Sequence, residues 1–312
     1  MLCFLGLSLG PLSLASEKEV VIVKNNWTSQ IVLSEILSGI YKKHGIKSRF
    51  KKLPVDEQWG ELSRGWSDVQ VEVWEGTMAD KFEKLTSEGK MLGAGTHDAK
   101  TREDWWYPLY VKELCPGLPD WKALKKCSSV FATSSSGGKG RYLGGPWEKP
   151  DKARVRALGL NFILERAKDS DGLWAALDKA FKKNKPILLF NWTPNWIEHK
   201  YKGEFVEFPE YDPKCETDPS WGVSKEWKYD CGNPKNGWLK KASSKRLKES
   251  FPCAHEILKR FNFKNEQIAK LAFEVDSNKK DVSKVAARWV KENKMIWENW
   301  IPSSCPAKGG KH

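Results

Sequence analysis

Residues 19–41, EVVIVKNNWTSQIVLSEILSGIY, read as a strand feeding a helix. Glu19 to Lys24 is a β-branched run, and from Ile31 the apolar residues Leu33, Ile36, Leu37, Ile40 and Tyr41 recur at the helical period. Working outward, Val69-Gln70-Val71-Glu72-Val73-Trp74 alternates strictly and reads as another strand, and Pro186 to Phe190 as a short buried one. Helices are predicted near 56–64, 78–88, 152–167 and 171–183, the last with Leu173, Leu177, Ala180 and Phe181 on one face, and again over 265–275 and 281–300. Elements that alternate in this way predict an α/β fold with mainly parallel sheets. Residues 203–250 are rich in Pro, Gly, Asp, Ser and Trp with little periodicity, which predicts an irregular stretch that needs staples.

A chain of 312 residues exceeds the size at which one core keeps growing, so two lobes are expected. The formal charge of +13 is spread over lysine pairs (Lys42-Lys43, Lys125-Lys126, Lys182-Lys183, Lys240-Lys241, Lys279-Lys280) at predicted helix ends. That pattern reads as a solvated surface, because a nucleic-acid groove would cluster cations beside exposed aromatics. No nucleic-acid partner is therefore expected. Residues 1–15, MLCFLGLSLGPLSLA, end in a small-x-small pattern and read as a signal peptide cleaved after Ala15, although the positive leader is missing. The segment is too short to span a bilayer and no later run of about 18 apolar residues follows, so the mature protein is expected to be periplasmic without a membrane span. Beyond Cys3 an even set remains: Cys115, Cys127, Cys215, Cys231, Cys253 and Cys305. In an exported chain this suggests disulfides. Connectivity is open, but the local loops Cys115–Cys127 and Cys215–Cys231 are the least costly pairing and leave Cys253 with Cys305.

Tryptophan is the unusual residue, 17 in all, and its placement matters more than its number. Trp27 follows the first strand, Trp74 ends the alternating strand, and Trp192 lies just beyond Phe190. All three are expected at strand C-terminal ends, where open α/β sheets bind ligands. Trp147, in the turn Gly144-Gly145-Pro146-Trp147, is a fourth candidate wall. Trp174, Trp289, Trp297 and Trp300 lie in helical patterns and read as core. Trp196 reads as a packing ring. Trp105-Trp106-Tyr107 begin WWYPLYV, which reads as a strand crossing between lobes and adds Trp106 and Tyr107 as ligand candidates. Several indoles around one site suit a methylated cation, because ring faces are electronegative and a quaternary ammonium has no N–H to satisfy.

Glu75, beside Trp74, is the candidate acid of the site. Glu210, Asp212, Glu216 and Asp218 are weak candidates for holding a calcium ion; they lack the EF-hand spacing, so a solvated loop is the simpler reading. Ser134 to Gly140 fails as a phosphate loop, because Thr133 stands where glycine is required and Gly140 follows Lys139, though such a turn can still offer N–H groups to an anionic ligand end. No GxSxG or HExxH occurs, and His44, His97, His199, His255 and His312 fall in no catalytic spacing, so no enzyme and no cofactor are expected. The rival reading is an exported carbohydrate-binding or carbohydrate-active protein that stacks sugars on Trp.

At Phe190-Asn191-Trp192-Thr193-Pro194-Asn195-Trp196 the chain resembles the glycine betaine/proline-betaine substrate-binding proteins of ABC transporters, through their W-T-P-x-W segment. Val73-Trp74-Glu75-Gly76-Thr77, Pro146-Trp147 and the strand before Trp27 support the likeness. The resemblance implies a type II periplasmic-binding-protein fold with crossing hinge strands, one lobe from 16–110 and 206–312 and the other from 111–205. It implies a monomer that carries a small methylated ammonium compound to a transporter permease, with Trp74, Trp147 and Trp192 at box positions. Betaine-binding members can carry a His where Met78 stands here. Trp27 and the acidic, cysteine-containing loop 210–231 are closer to the trimethylamine N-oxide-binding branch; glycine betaine, dimethylsulfoniopropionate and choline remain open.

Overall fold

The computed structural model describes residues 19–147 and 150–305, so the expected signal peptide lies outside the described residues. Strand β1 (Val20–Lys24) runs parallel to β2 (Ser48–Lys52) and β3 (Val69–Trp74), with helices α1 (Thr28–Lys43) and α2 (Val55–Arg64) as the connections. Gly65, at φ 69°, ends α2 in the left-handed region that glycine enters without steric cost. Helix α3 (Glu75–Ser87) follows β3 without a loop, so the strand's C-terminal end is also a helix N-terminus. Strand β4 (Leu92–Pro108) comes next, then β5 (Gly140–Gly144), β6 (Phe162–Arg166), β7 (Leu188–Thr193), β8 (Gly203–Phe205) and β9 (Gly237–Ser243).

The strands lie in the order β2-β1-β3-β9-β4-β7-β5-β6, with β8 alongside β4. Strand β4 joins two half-sheets: it pairs with β9 as far as Thr101 and with β7 from Arg102 onward. Helix α1 packs on β1 and β3 and against the helices Asn265–Asp276 and Val282–Glu292, while the helix Pro252–Arg260 covers β4 and β9. With both faces covered, every residue of β3 is buried. The second half-sheet is organised around Trp105, which stacks on Tyr142 with centroids 4.1 Å apart and donates to Asp151 Oδ1 at 2.9 Å. Arg154 pairs with the buried Asp104 at 2.9 Å and donates to Asn233, fastening the 151–157 helix and the 230s loop to β4. Cys115–Cys127, Cys215–Cys231 and Cys253–Cys305 are all bonded, which is the least costly of the pairings left open by the sequence.

Several expectations need correction. The sheets are mixed rather than mainly parallel, because β9 and β7 each pair antiparallel with β4. The helix predicted over 152–167 stops at Ala157; Gly159 at φ 59° breaks it, and Phe162–Arg166 is a strand. The crossing strand lies upstream of WWYPLYV: Trp105 to Pro108 end it, and Val111–Leu114 is a helical turn. The irregular stretch contains β8 and the central strand β9. The Lys240-Lys241 pair lies on β9, and Lys241 is fully buried, its ammonium donating to the carbonyls of Lys259 and Phe261.

His97, on β4, ties the core together in one tautomer. Its Nδ1 accepts the Phe263 N–H at 3.2 Å, so Nε2 carries the proton and donates to Val71 O at 2.9 Å. Burial, then the Lys241 charge, pushes its pKa down to about 3 from 6.5. The folded pKa lies below the unfolded one, so stability is fully present above pH 6.5 and falls as the pH drops toward about 3, because only the unfolded chain takes up the proton. The loss from this one group is about 1.4 kcal/mol per pH unit. Urea unfolding across that range is expected to show a shallower acid loss for His97→Gln than for the wild type; equal slopes would contradict this role.

Candidate functional site

On β3, Gln70, Glu72 and Trp74 share one face by the strand's period of two. Glu72 Oε2 accepts the Trp74 indole N–H at 3.0 Å, the Trp27 indole N–H at 2.6 Å and the Ser29 hydroxyl at 3.0 Å. Trp27 sits at the end of the β1 connection with extended backbone, immediately before α1 begins, which turns its ring toward the C-terminal end of the sheet. Burial pushes the Glu72 carboxyl up to about 7, against the pull of the donors from Trp27, Ser29 and Trp74.

The second half-sheet contributes the opposite wall. Phe190 and Trp192 lie two apart on β7, on one face, with centroids 5.6 Å apart. Trp174 packs behind Trp192 at 5.0 Å. Trp147 stands on the turn after β5, where Arg166 donates to the carbonyls of Gly145 and Trp147 and so clamps that turn. A Cβ on Gly145 would lie 2.2 Å from the Trp147 ring, so only glycine permits this fold-back. Trp147 meets Trp192 edge-on at 5.3 Å and Trp27 edge-on at 6.3 Å, and its N–H reaches Asn26 Oδ1 at 3.0 Å. The two half-sheets meet at these rings. Trp196, beyond Trp192, adds a bridge by donating to Asp276 Oδ2 at 2.7 Å.

Trp27, Trp74, Trp147 and Trp192 surround a cavity of about 30 Å³ that Phe190, Met78, Thr77 and Glu103 complete. Each of the four indoles is no more than 9% exposed. Glu103, on β4, pairs in register with Trp192 and accepts a hydrogen bond from the Thr77 hydroxyl. A Cβ on Gly76 would come within 2.8 Å of Glu103 Oε2, so the carboxyl rests on the first turn of α3, where the helix dipole favours an anion. The lining has aromatic faces and one acid but no Lys or Arg, a combination suited to a compact cation with an apolar surface.

The structure thus brings together Trp27, Trp74, Trp147 and Trp192. Three other candidates fall outside the cavity lining. Glu75 turns away and accepts the Trp238 N–H at 2.9 Å. Trp106 packs on Gly203, and Tyr107 donates to Glu204 Oε2 at 3.0 Å. The calcium candidates do not converge: Asp212 caps Lys214 N–H and Asp218 caps Ser220, and among the described residues no three metal-binding side chains cluster. The Ser134 to Gly140 turn also lies away from the cavity lining, with Ser135 bonded to Glu165. Sequence reasoning missed Phe190, Thr77, Glu103 and Glu72. Phe190 was within reach, since it shares a strand face with Trp192; Glu103 had no local signal.

A family described as the substrate-binding domain of ABC-type glycine betaine transport systems matches residues 18–292. The trimethylamine N-oxide-binding protein of Pelagibacter ubique is 35% identical over 291 residues, covering 90% of each chain. Among solved structures, the glycine betaine/L-proline-binding protein of Borrelia burgdorferi superposes with a TM-score of 0.72 at 21% identity, over 92% of this chain and 97% of that one. A lactococcal binding protein in a closed, glycine betaine-bound form gives 0.66 at 20% identity, over 92% and 100%. Together with the two half-sheets joined by β4, these place the chain in a type II periplasmic-binding-protein fold. The chain belongs to the family of substrate-binding domains of ABC-type glycine betaine transport systems.

Proposed function

We propose that this protein captures trimethylamine N-oxide, or a methylated onium compound of similar size, between its four indoles and delivers it to an ABC transporter permease from the periplasmic side. The observation that carries this reading is the lining itself: four indole faces, a single carboxyl and no cationic side chain. Each ring contributes about 0.5–2 kcal/mol to a desolvated onium, so the four together contribute about 2–8 kcal/mol. The carboxylate of a betaine would meet Glu103 with no basic partner in the lining, whereas an N-oxide oxygen can share a proton with Glu103 and the hydroxyl of choline can donate to it. The relative named for trimethylamine N-oxide binding supports the same ligand.

The carbohydrate reading loses ground on the same lining. A glycosidase needs two facing carboxyls, and Glu75, the acid proposed from sequence, is turned away toward Trp238. Capture is expected to work by closure, with the half-sheet β1-β2-β3-β9 and its helices moving against the half-sheet β5-β6-β7 about β4, and with Asn26–Trp147 and Asp276–Trp196 as contacts of the closed form.

Calorimetry with trimethylamine N-oxide, choline, glycine betaine and dimethylsulfoniopropionate tests the reading. Trimethylamine N-oxide is expected to bind at least about tenfold more tightly than glycine betaine, a difference of about 1.4 kcal/mol; a preference for the betaine would overturn it. Trp74→Ala and Trp192→Ala are each expected to weaken binding by about tenfold or more with the fold intact by circular dichroism, and unchanged affinity in either would remove that ring from the site. Glu103→Ala is expected to weaken trimethylamine N-oxide by about tenfold or more, because a hydrogen bond involving a charged group contributes about 1.5–3 kcal/mol, and unchanged affinity would remove Glu103 from the site.

A further inference from the structure

Two cage indoles end on one atom. Trp27 lies between β1 and α1 and Trp74 ends β3, yet both donate to Glu72 Oε2, at 2.6 and 3.0 Å, and Ser29 adds a hydroxyl at 3.0 Å. Glu72 is absent from the cavity lining and wholly buried, so it does not touch a ligand and stands behind the two rings. Among the described residues no Lys or Arg forms an ion pair with it, and its Oε1 makes no hydrogen bond. A carboxyl buried without a counter-charge is a costly way to accept two N–H groups, which a neutral amide would also satisfy. The charge itself therefore calls for an explanation.

We propose that Glu72 is a positioning residue of the cage, which fixes Trp27 and Trp74 by their N–H groups and, through its charge, makes their ring faces more negative toward an onium ligand. This rests on the onium reading given above. Turning either indole over would leave a buried donor unpaired, so the bonds hold the ring faces toward the cavity. An N–H donating to a carboxylate in a low-dielectric core is polarised, which drives electron density into the ring and deepens the potential that attracts a cation. Burial holds the carboxyl near neutral pH, at about 7, so the effect can be switched within an accessible range. Ionisation as the pH rises strengthens the cage, and protonation weakens it.

Other titratable groups lie on the surrounding elements. They are Glu103 on β4, Asp276 at the end of the 265–276 helix, the Lys24–Glu35 pair between β1 and α1, Lys240 and Lys241 on β9, and His97 on β4. Burial raises the Asp276 carboxyl as well, so a pH profile is assigned to Glu72 only by comparison with a variant.

Tetramethylammonium, whose charge does not titrate, is the probe. Its affinity for the wild type, Glu72→Gln and Glu72→Ala is measured by calorimetry from about pH 5.5 to about pH 8.5. Wild-type affinity is expected to rise about fivefold or more through pH 7. Glu72→Gln, which keeps an acceptor but loses the charge, should be flat across that window and weaker at its upper end, and Glu72→Ala weaker throughout. A Gln variant with the wild-type profile and affinity would overturn the proposal. A second readout needs neither ligand nor Glu72 variant. In the wild type, the two ¹⁵N indole resonances that disappear in Trp27→Phe and Trp74→Phe should shift together with a midpoint near pH 7. Independent or absent shifts would overturn the shared-acceptor assignment. Should the wild type bind no onium at all while these resonances move together, the functional reading fails and the positioning assignment stands.

Discussion

Strand β4 changes partner between Thr101 and Arg102, and the site is built around that exchange. Before it, the strand bonds to β9 and belongs with β1, β2 and β3; after it, the strand bonds to β7 and belongs with β5 and β6. Glu103 lies just past the change, opposite Trp192 and against the first turn of α3. Both half-sheets are thereby held in reach of one acid. Trp27 and Trp74 come from one side of the exchange and Trp147, Phe190 and Trp192 from the other, so the cavity exists only while the halves are together. Edge contacts between Trp27 and Trp147 and the Asn26–Trp147 bond cross that boundary directly.

The rest of the fold supports these positions. Arg166 and Gly145 hold the turn under Trp147, Trp174 backs Trp192, and Glu72 holds Trp27 and Trp74 from behind. Aromatic walls alone would be indifferent to ring orientation. The polar groups behind them settle which surfaces face inward, as is usual for sites whose first layer is oriented by a second.

The four rings were legible because their signal is local: an indole beyond a strand's C-terminal end, or on a Gly-Pro turn, can be located from its neighbours alone. The α/β class was legible in the opening strand-helix unit, and the type II fold in the resemblance carried by the W-T-P-x-W segment. The acids were misread for physical reasons. Val69 to Trp74 alternates as a half-exposed strand would, yet Ser29 and Gln30 of α1 and Gln58 of α2 bond to Glu72 and Gln70 on the face that also carries Trp74, and all of it is buried. Glu75 is adjacent to Trp74 in sequence but starts a helix, which swings its side chain toward Trp238. Strand β4, LGAGTHDAKTREDWWYP, has glycines and charges where a central strand normally carries apolar side chains, so neither the strand nor Glu103 could be located without its partners. Lys241 was hidden by the same habit of reading charge as surface.

The central claim is that the cage responds to positive charge on a methylated centre and not merely to apolar bulk. Choline and its neutral carbon isostere 3,3-dimethyl-1-butanol have the same shape and hydroxyl and differ in that charge. With four rings each contributing at least about 0.5 kcal/mol, calorimetry should find the neutral alcohol at least about 30-fold weaker. Equal affinities for the two would contradict the account.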